Sequence, residues 1–278
     1  MDDIEKRLLI HEHVIRIPGM RRHVLCQFGD THITTWDCLS TPEEKKRAEE
    51  SSASWIETRK MFADLHGEPS GPDQMRDHME ILDDLFTVAG KADMVAMVGD
   101  MMDAVTSADL RAMEKRLEMF EVPYVIACGN HEKKGTVPEG MRFSVVNRKV
   151  QSIEDDELRL ICLDNAERSV SKHQLAILRN SFRDHKKTVI VFHVPFVTEG
   201  NREEMEKAGE YFWFNYPGCP EENLELLKII RENRDDIVAV LAGHLHFRND
   251  SEIVEGVTQY VSSQGITGYM NRFVIGEG

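Results

Sequence analysis

The chain has 278 residues, 41% of them hydrophobic and 30% charged, and a formal net charge of −15. That is enough chain and apolar content to bury a full core in one domain. The acidic balance argues against nucleic acid as a partner, since tight binding to its backbone needs Lys and Arg against the phosphates.

No apolar run approaches the roughly 18 residues of a membrane span, so no membrane partner is expected. Five cysteines (Cys26, Cys38, Cys128, Cys162, Cys219) are scattered without a C-x-x-C pair, which suggests neither a disulfide framework nor a thiolate zinc site. The start, Met1-Asp2-Asp3-Ile4-Glu5, is acidic where a secretory signal is basic and then apolar. A cytoplasmic protein is expected, and its oligomeric state is not legible.

In chain order, a strand is expected at Val14 to Ile17, ended by Pro18-Gly19. With no apolar strand to deliver them, His11 and His13 read as exposed or half-packed. His23 to Phe28 reads as a strand that Gly29 ends at Asp30-Thr31-His32. Thr41-Pro42-Glu43-Glu44 supplies an N-cap, a proline at the first helical position and a glutamate at the third, so a helix should run toward Leu65 until Gly67 to Gly71 breaks it. The charge run Glu43 to Glu50 is its solvated face. A second helix is expected from Pro72-Asp73 to about Val88, with Met75, Met79, Leu82, Leu85 and Phe86 on one core-facing side. The stretch from about 41 to 90 thus reads as a helical insertion, without chemistry of its own, in a single domain spanning 1–278.

The apolar run Met94 to Val98 stops at Gly99 and delivers Asp100, with Asp103 three residues on. A helix from Ser107 to Phe120 leads through Pro123 into the strand Tyr124 to Cys128 and the block Gly129-Asn130-His131-Glu132. Phe143 to Val150 and Leu158 to Leu163 are expected as neighbouring strands joined by the acidic turn Glu154 to Glu157. Ser171 to Asp184 has helical spacing, and the strand Thr188 to Phe192 ends at His193. In the loop from Thr198 to Glu222, the run Tyr211-Phe212-Trp213-Phe214-Asn215-Tyr216 either stacks on a nucleobase or packs the loop. A helix over Glu221 to Asn233 and a strand over Ile237 to Leu241 then deliver Gly243-His244-Leu245-His246, and a β-rich tail follows.

Each of these five hydrophilic clusters stands just after an apolar strand, where α/β sheets present reactive groups. The donors Asp30, His32, Asp100, Asn130, His193, His244 and His246 are all nitrogen or oxygen. That mix suits Mn, Fe, Zn, Co or Ni better than the all-oxygen shell of calcium. Asp100 reads as a bridge between two ions about 3.5–4 Å apart, a spacing that clamps the attacking and leaving oxygens of a phosphoryl displacement.

The ordered blocks Asp30-x-His32, Gly99-Asp100-x-x-Asp103, Gly129-Asn130-His131-Glu132, His193 and Gly243-His244-x-His246 resemble the calcineurin-like metallophosphoesterase superfamily over Asp30 to His246. The resemblance implies an α/β fold, a four-layer αββα sandwich of two mixed β-sheets flanked by helices. It also implies two divalent or trivalent transition-metal ions, of which Mn, Fe and Zn are expected. Asp30, His32 and His246 would hold one, Asn130, His193 and His244 the other, and Asp100 would bridge them. Water held between the ions would be deprotonated near neutral pH and attack phosphorus, while His131, oriented by Asp103, would protonate the leaving oxygen. Glu132 is expected to be structural.

Ala104 follows Asp103 where protein phosphatases of the superfamily carry arginine, and Gly243-His244-Leu245-His246 resembles the cyclic-nucleotide phosphodiesterase and nuclease branches. No basic stripe for duplex binding supports a nuclease. The expected activity is hydrolysis of a small phosphodiester such as a cyclic nucleotide. Hydrolysis of a phosphomonoester is the alternative, and a non-catalytic metal-binding scaffold is the competing class. Arg202, Arg248, Asn271 and Arg272 are candidates for phosphate contacts.

Overall fold

Strands covered on both faces read as continuous apolar runs rather than alternating ones. This holds for β2 (His23–Phe28), β3 (Met94–Met97) and β6 (Leu158–Leu163), in which nearly every residue is buried. In the computed structural model, which describes residues 3–209 and 212–277, these strands sit in two mixed sheets. The first also contains β1 (Leu9–Ile15), β4 (Tyr124–Ile126) and β11 (Tyr269–Ile275), in the order β1-β11-β2-β3-β4. β1 and β11 are parallel, β11 and β2 antiparallel, and β2, β3 and β4 run parallel. The second adds β5 (Val150–Glu154), β7 (Lys187–Val191), β8 (Ile237–Ala242), β9 (Asn249–Val254) and β10 (Val257–Val261), in the order β5-β6-β7-β8-β10-β9. Its outer strands β5 and β9 are antiparallel to neighbours that are otherwise parallel.

Three apolar layers hold this arrangement. Leu25, Ala96, Val125, Leu160, Val189 and Leu241 fill the space between the sheets. On the outer face of the first sheet, α2 (His78–Ala89) and α3 (Ser107–Glu118) bury Ile81, Leu82, Leu85, Met113 and Leu117 against Phe28, Val95 and Met97. On the outer face of the second, α4 (Lys172–Ser181) and α6 (Glu221–Glu232) bury Leu175, Leu178, Leu226 and Ile229 against Ile190 and Val240. The result is the expected four-layer sandwich. Two glutamines join the sheets where apolar contact alone would leave backbone groups dry and unpaired. The Gln27 amide donates to Ala242 O and Tyr260 O at 2.8 and 3.1 Å. Gln151 exchanges two hydrogen bonds with the backbone of Ile126, at 3.0 and 2.6 Å, closing the edge of β4.

Several boundaries differ from the sequence reading. β1 begins at Leu9, so a strand does carry His11 and His13. Its polar alternation hides it, because it is only half covered. α2 starts at His78, where the Asp77 side chain accepts the N–H groups of Met79 and Glu80, leaving Met75 ahead of the helix. Phe143 to Val150 is not a strand. Arg142–Asn147 forms a 3₁₀ turn that buries Phe143 and Val146, three residues apart, and only from Val150 does the chain extend. The loop after His193 contains a short helix, α5 (Arg202–Ala208).

One helix does not belong to the sandwich layers. α1 (Pro42–His66) opens on the expected capping box between Thr41 and Glu44 and closes at Gly67 in the left-handed conformation. Among its residues only Ala48, Arg59 and Ala63 are buried. Arg59 is the pin. Its guanidinium donates to the carbonyls of Gln74, Arg76 and Ile266 at 3.1–3.3 Å. Hydrogen bonds from a charged donor contribute about 1.5–3 kcal/mol each when they replace hydration. Arg59→Met should leave the sandwich folded but raise amide exchange across 42–66 at least tenfold, read by hydrogen-exchange mass spectrometry. Unchanged protection would assign the docking of α1 to other contacts.

Candidate metal centre

β2, β3 and β4 are parallel neighbours, so the residues after them, Asp30, Asp100 and Asn130, emerge at one edge of the first sheet. β7 and β8 deliver His193 and His244 at the facing edge of the second. The turns are tight. Asp30, His32, Asp100, His244 and His246 all have positive φ, between 39° and 75°, a conformation that non-glycine residues rarely adopt. Glycine precedes four of the clusters, and at two of them space alone demands it. A Cβ at Gly129 would lie 2.1 Å from Asp100 Oδ1, and one at Gly243 would lie 2.5 Å from Asp30 Oδ2.

The structure brings all seven expected ligands together. Donor atoms of Asp30, His32 and His246 lie within 4.8 Å of one another, as do those of Asp100, His193 and His244. A third group, His32, Asp100 and His131, overlaps both. His32 Nε2 and His246 Nε2 are 2.9 Å apart, and His246 Nε2 is 3.5 Å from Asp30 Oδ1. His193 Nε2 lies 3.3 Å from Asp100 Oδ2 and 3.2 Å from Asn130 Oδ1. His193 Nδ1 is held by Val98 O at 2.7 Å, which fixes the ring and leaves Nε2 to face the cluster. Burial, reinforced by neighbouring imidazoles, depresses His32 and His244 well below the ordinary histidine range, so both are neutral, the form that binds metals. For His193 burial works against the proton, but the Asp100 carboxylate outweighs it and raises the group. Three- and four-donor N/O sets converging in this way fit two transition-metal ions.

The flanking residues take distinct places. His131 N donates to Asp100 Oδ1 at 2.8 Å, and His131 Nδ1 donates to the backbone carbonyl of Asp103 at 2.6 Å. The Asp103 carboxylate is farther, at 3.5 Å, and accepts from Ser51 Oγ at 2.6 Å instead. Thr106 caps α3. Glu132 is buried and accepts the backbone N–H groups of Asp100, Met102 and Gly129 at 2.9–3.0 Å. Burial and the nearby Asp100 carboxylate push its carboxyl upward.

Of the arginine and asparagine candidates, Asn271 is buried against Gln27, Arg272 is paired with Glu5 and Glu12, and Arg248 with Asp250. In the aromatic run, Phe214 belongs to the core beneath α6, and the Trp213 indole donates to Met205 O. Phe212 lies 5.0 Å from the His244 ring, and Tyr211 falls outside the described residues. His11, His13 and Asp250 also approach within 4.8 Å. There, however, Asp250 is paired with Arg248, and His13 is stacked on Phe273 and hydrogen-bonded to Asn271.

Sequence reasoning missed two contributors. Arg168 lines a cavity of about 200 Å³ with Asn130 and His244, its guanidinium 4.2 Å from the Tyr216 ring. The second is α1. Ser51, Trp55, Arg59, Phe62 and His66 lie three or four residues apart and share one face. Trp55 stacks on His32 with ring centres 4.1 Å apart, and Phe62 meets His246 at 5.0 Å. The spacing was there to be read, but the mixture of hydroxyl, aromatic and basic side chains masks it as a stripe.

A profile of the calcineurin-like phosphoesterase family matches residues 23–248. The chain belongs to this family. It is accordingly a metal-dependent phosphoric ester hydrolase acting on small phosphoesters. No curated protein matches its sequence. Among solved structures it is similar to a dimetal phosphatase from Danio rerio, at 11% identity over 90% of this chain and 91% of that one, with a TM-score of 0.59. A purple acid phosphatase from yellow lupin (Lupinus luteus) seeds is 16% identical over 91% of this chain and 45% of that one, with a TM-score of 0.47. At these identities the first likeness shows the fold. No helix among the described residues is long and apolar enough to cross a membrane.

Replacing a carboxylate that accepts three buried N–H groups by an amide turns one acceptor into a donor facing a donor. Glu132→Gln should therefore destabilise the protein by about 1–3 kcal/mol, measured by urea unfolding. A loss within about 0.5 kcal/mol, the scatter of an inconsequential substitution, would mean that water or a shifted loop takes over the bonds.

Proposed function

We propose that this family member hydrolyses a phosphodiester, a cyclic nucleotide being one such substrate, and that the seven converging donors hold two ions drawn from Mn, Fe and Zn. That convergence of Asp30, His32, Asp100, Asn130, His193, His244 and His246 carries the reading. When bound, the cations would supply Lewis acidity and a lowered pKa for water. The chain's own residues then do the rest. Asp100, which groups with His32 on one side and with His193 and His244 on the other, would help to hold both ions. His131 spends Nδ1 on the Asp103 carbonyl, which leaves Nε2 to deliver a proton to the departing oxygen. Asp103 acts as a positioning residue, through its main chain more than its carboxylate. Arg168, beside Asn130 and His244, is placed to contact a phosphoryl oxygen.

In the cavity beside Asn130 and His244, Arg168 stands next to the opposite charge of Glu167, which favours a diester, with one negative charge, over a monoester, with two. The chain acts as one catalytic domain across 1–278, with the helical insertion at about 41–90 contributing α1 beside the site. Cysteines that are all free among the described residues suit a cytoplasmic setting.

Metal-stripped protein reloaded with manganese should bind two ions per chain and cleave bis-p-nitrophenyl phosphate faster than p-nitrophenyl phosphate. Asp100→Asn should abolish both activities. Cleavage of the monoester alone would make the protein a phosphatase, and no turnover with any divalent metal would make it a scaffold. His131→Ala should cut kcat by about 10²–10⁴-fold with two ions retained, measured by steady-state kinetics alongside metal analysis. An unchanged kcat removes it from the mechanism. Arg168→Ala should raise KM more than it lowers kcat, and equal values in the two proteins would place Arg168 outside the substrate site.

A further inference from the structure

A cavity of about 510 Å³ is lined by side chains two of which touch expected ligands of the metal centre. Its walls are rings: Phe62 and His66 from α1, Phe212 from the loop after α5, and Phe247 just past His246. Leu245, between two of the expected ligands, forms part of its floor. The connection to the metal centre is physical. Phe62 meets the His246 ring at 5.0 Å, Phe212 meets the His244 ring at 5.0 Å, and His66 stacks on Phe247 at 4.3 Å. A phosphoester held by those histidines would therefore extend its organic part between Phe62 and Phe212.

The charges at the rim narrow what fits. Lys207 is already paired with Glu203 at 2.8 Å, and Glu204 adds a negative charge. With no net positive charge, the cavity does not attract a second phosphate or carboxylate. Its volume suits a group of one or two fused rings, and an aromatic lining of Phe62, His66, Phe212 and Phe247 suits a flat ring.

We infer that this cavity is a specificity pocket for a neutral, flat aromatic group on the substrate, of the nucleobase class, with α1 supplying half of its ring wall. The inference rests on the phosphoesterase reading and adds to it the chemistry of the group attached to phosphorus. It also explains why the insertion is anchored so firmly. Arg59 pins α1, and Trp55 and Phe62, four residues before it and three after, are thereby held against His32 and His246.

Non-hydrolysable phosphinates, singly charged like a diester, test this without turnover. Dimethylphosphinate, methyl(1-naphthylmethyl)phosphinate and methyl(octyl)phosphinate share one anionic head, and their binding to manganese-loaded protein can be measured by calorimetry. The naphthyl compound should bind at least tenfold tighter than dimethylphosphinate, the scale of one ring stacked on aromatic side chains. Phe62→Ala and Phe212→Ala should each cut that ratio roughly fivefold or more. Both side chains are only partly buried, so neither change empties the core. Because the ratio is taken within each protein, altered anchoring of the shared head cancels. Equal binding of the naphthyl and methyl compounds overturns the pocket and leaves the phosphoesterase reading intact, as does an octyl compound that outbinds the naphthyl one. Failure to bind any phosphinate would overturn both.

Discussion

A single buried carboxylate holds the centre in register. Glu132 takes the N–H groups of Asp100 and Met102 from the turn after β3, and that of Gly129 from the turn after β4. Neither turn can satisfy those groups itself, because each leaves its strand too abruptly for ladder pairing. Asp100 reciprocates across the same gap by accepting the His131 N–H. The two turns are thus bonded to each other through side chains before any ligand is considered, and the aspartate expected to bridge the ions has its backbone and one oxygen already placed.

That rigidity offsets a cost. Five of the seven expected ligands hold a backbone conformation that disfavours a side chain by about 1–3 kcal/mol apiece. The turns persist because neighbouring bonds over-determine them. Asp30 N donates to Gly99 O, His32 N to Asp100 O, and His244 N to the Asp30 carboxylate, so the strained residues of one sheet edge are tied to those of the next. The close approach at Gly129 and Gly243 has the same origin, since the Asp100 and Asp30 carboxylates lie where a Cβ would stand.

The sequence reveals this edge more fully than the rest of the molecule. A buried strand, a glycine and then an acid or histidine form a local pattern, and it brings the expected ligands to the strand ends at which the structure gathers them. Features set by distant contacts were hidden. The β1 segment looks like a polar leader because its partner β11 lies at the other end of the sequence. Phe143 to Val150 has the composition of a strand, yet burying Phe143 and Val146 together calls for a turn of three. α1 announced itself by its cap, but not its destination. A helix normally docks by an apolar stripe, whereas this one docks through a buried arginine that reaches three main-chain carbonyls.

β11 has a consequence for how the molecule comes into being. It lies between β1 and β2, pairing Leu9 with Tyr269 and Leu25 with Phe273. During synthesis, β1 and β2 therefore each wait with an edge open until residues 269–275 have been made, while β6, β7 and β8 of the second sheet can pair sooner. Pairings this remote in sequence close slowly and expose unpaired strands meanwhile. The sheet that carries Asp30 and Asp100 is thus the later of the two to become whole.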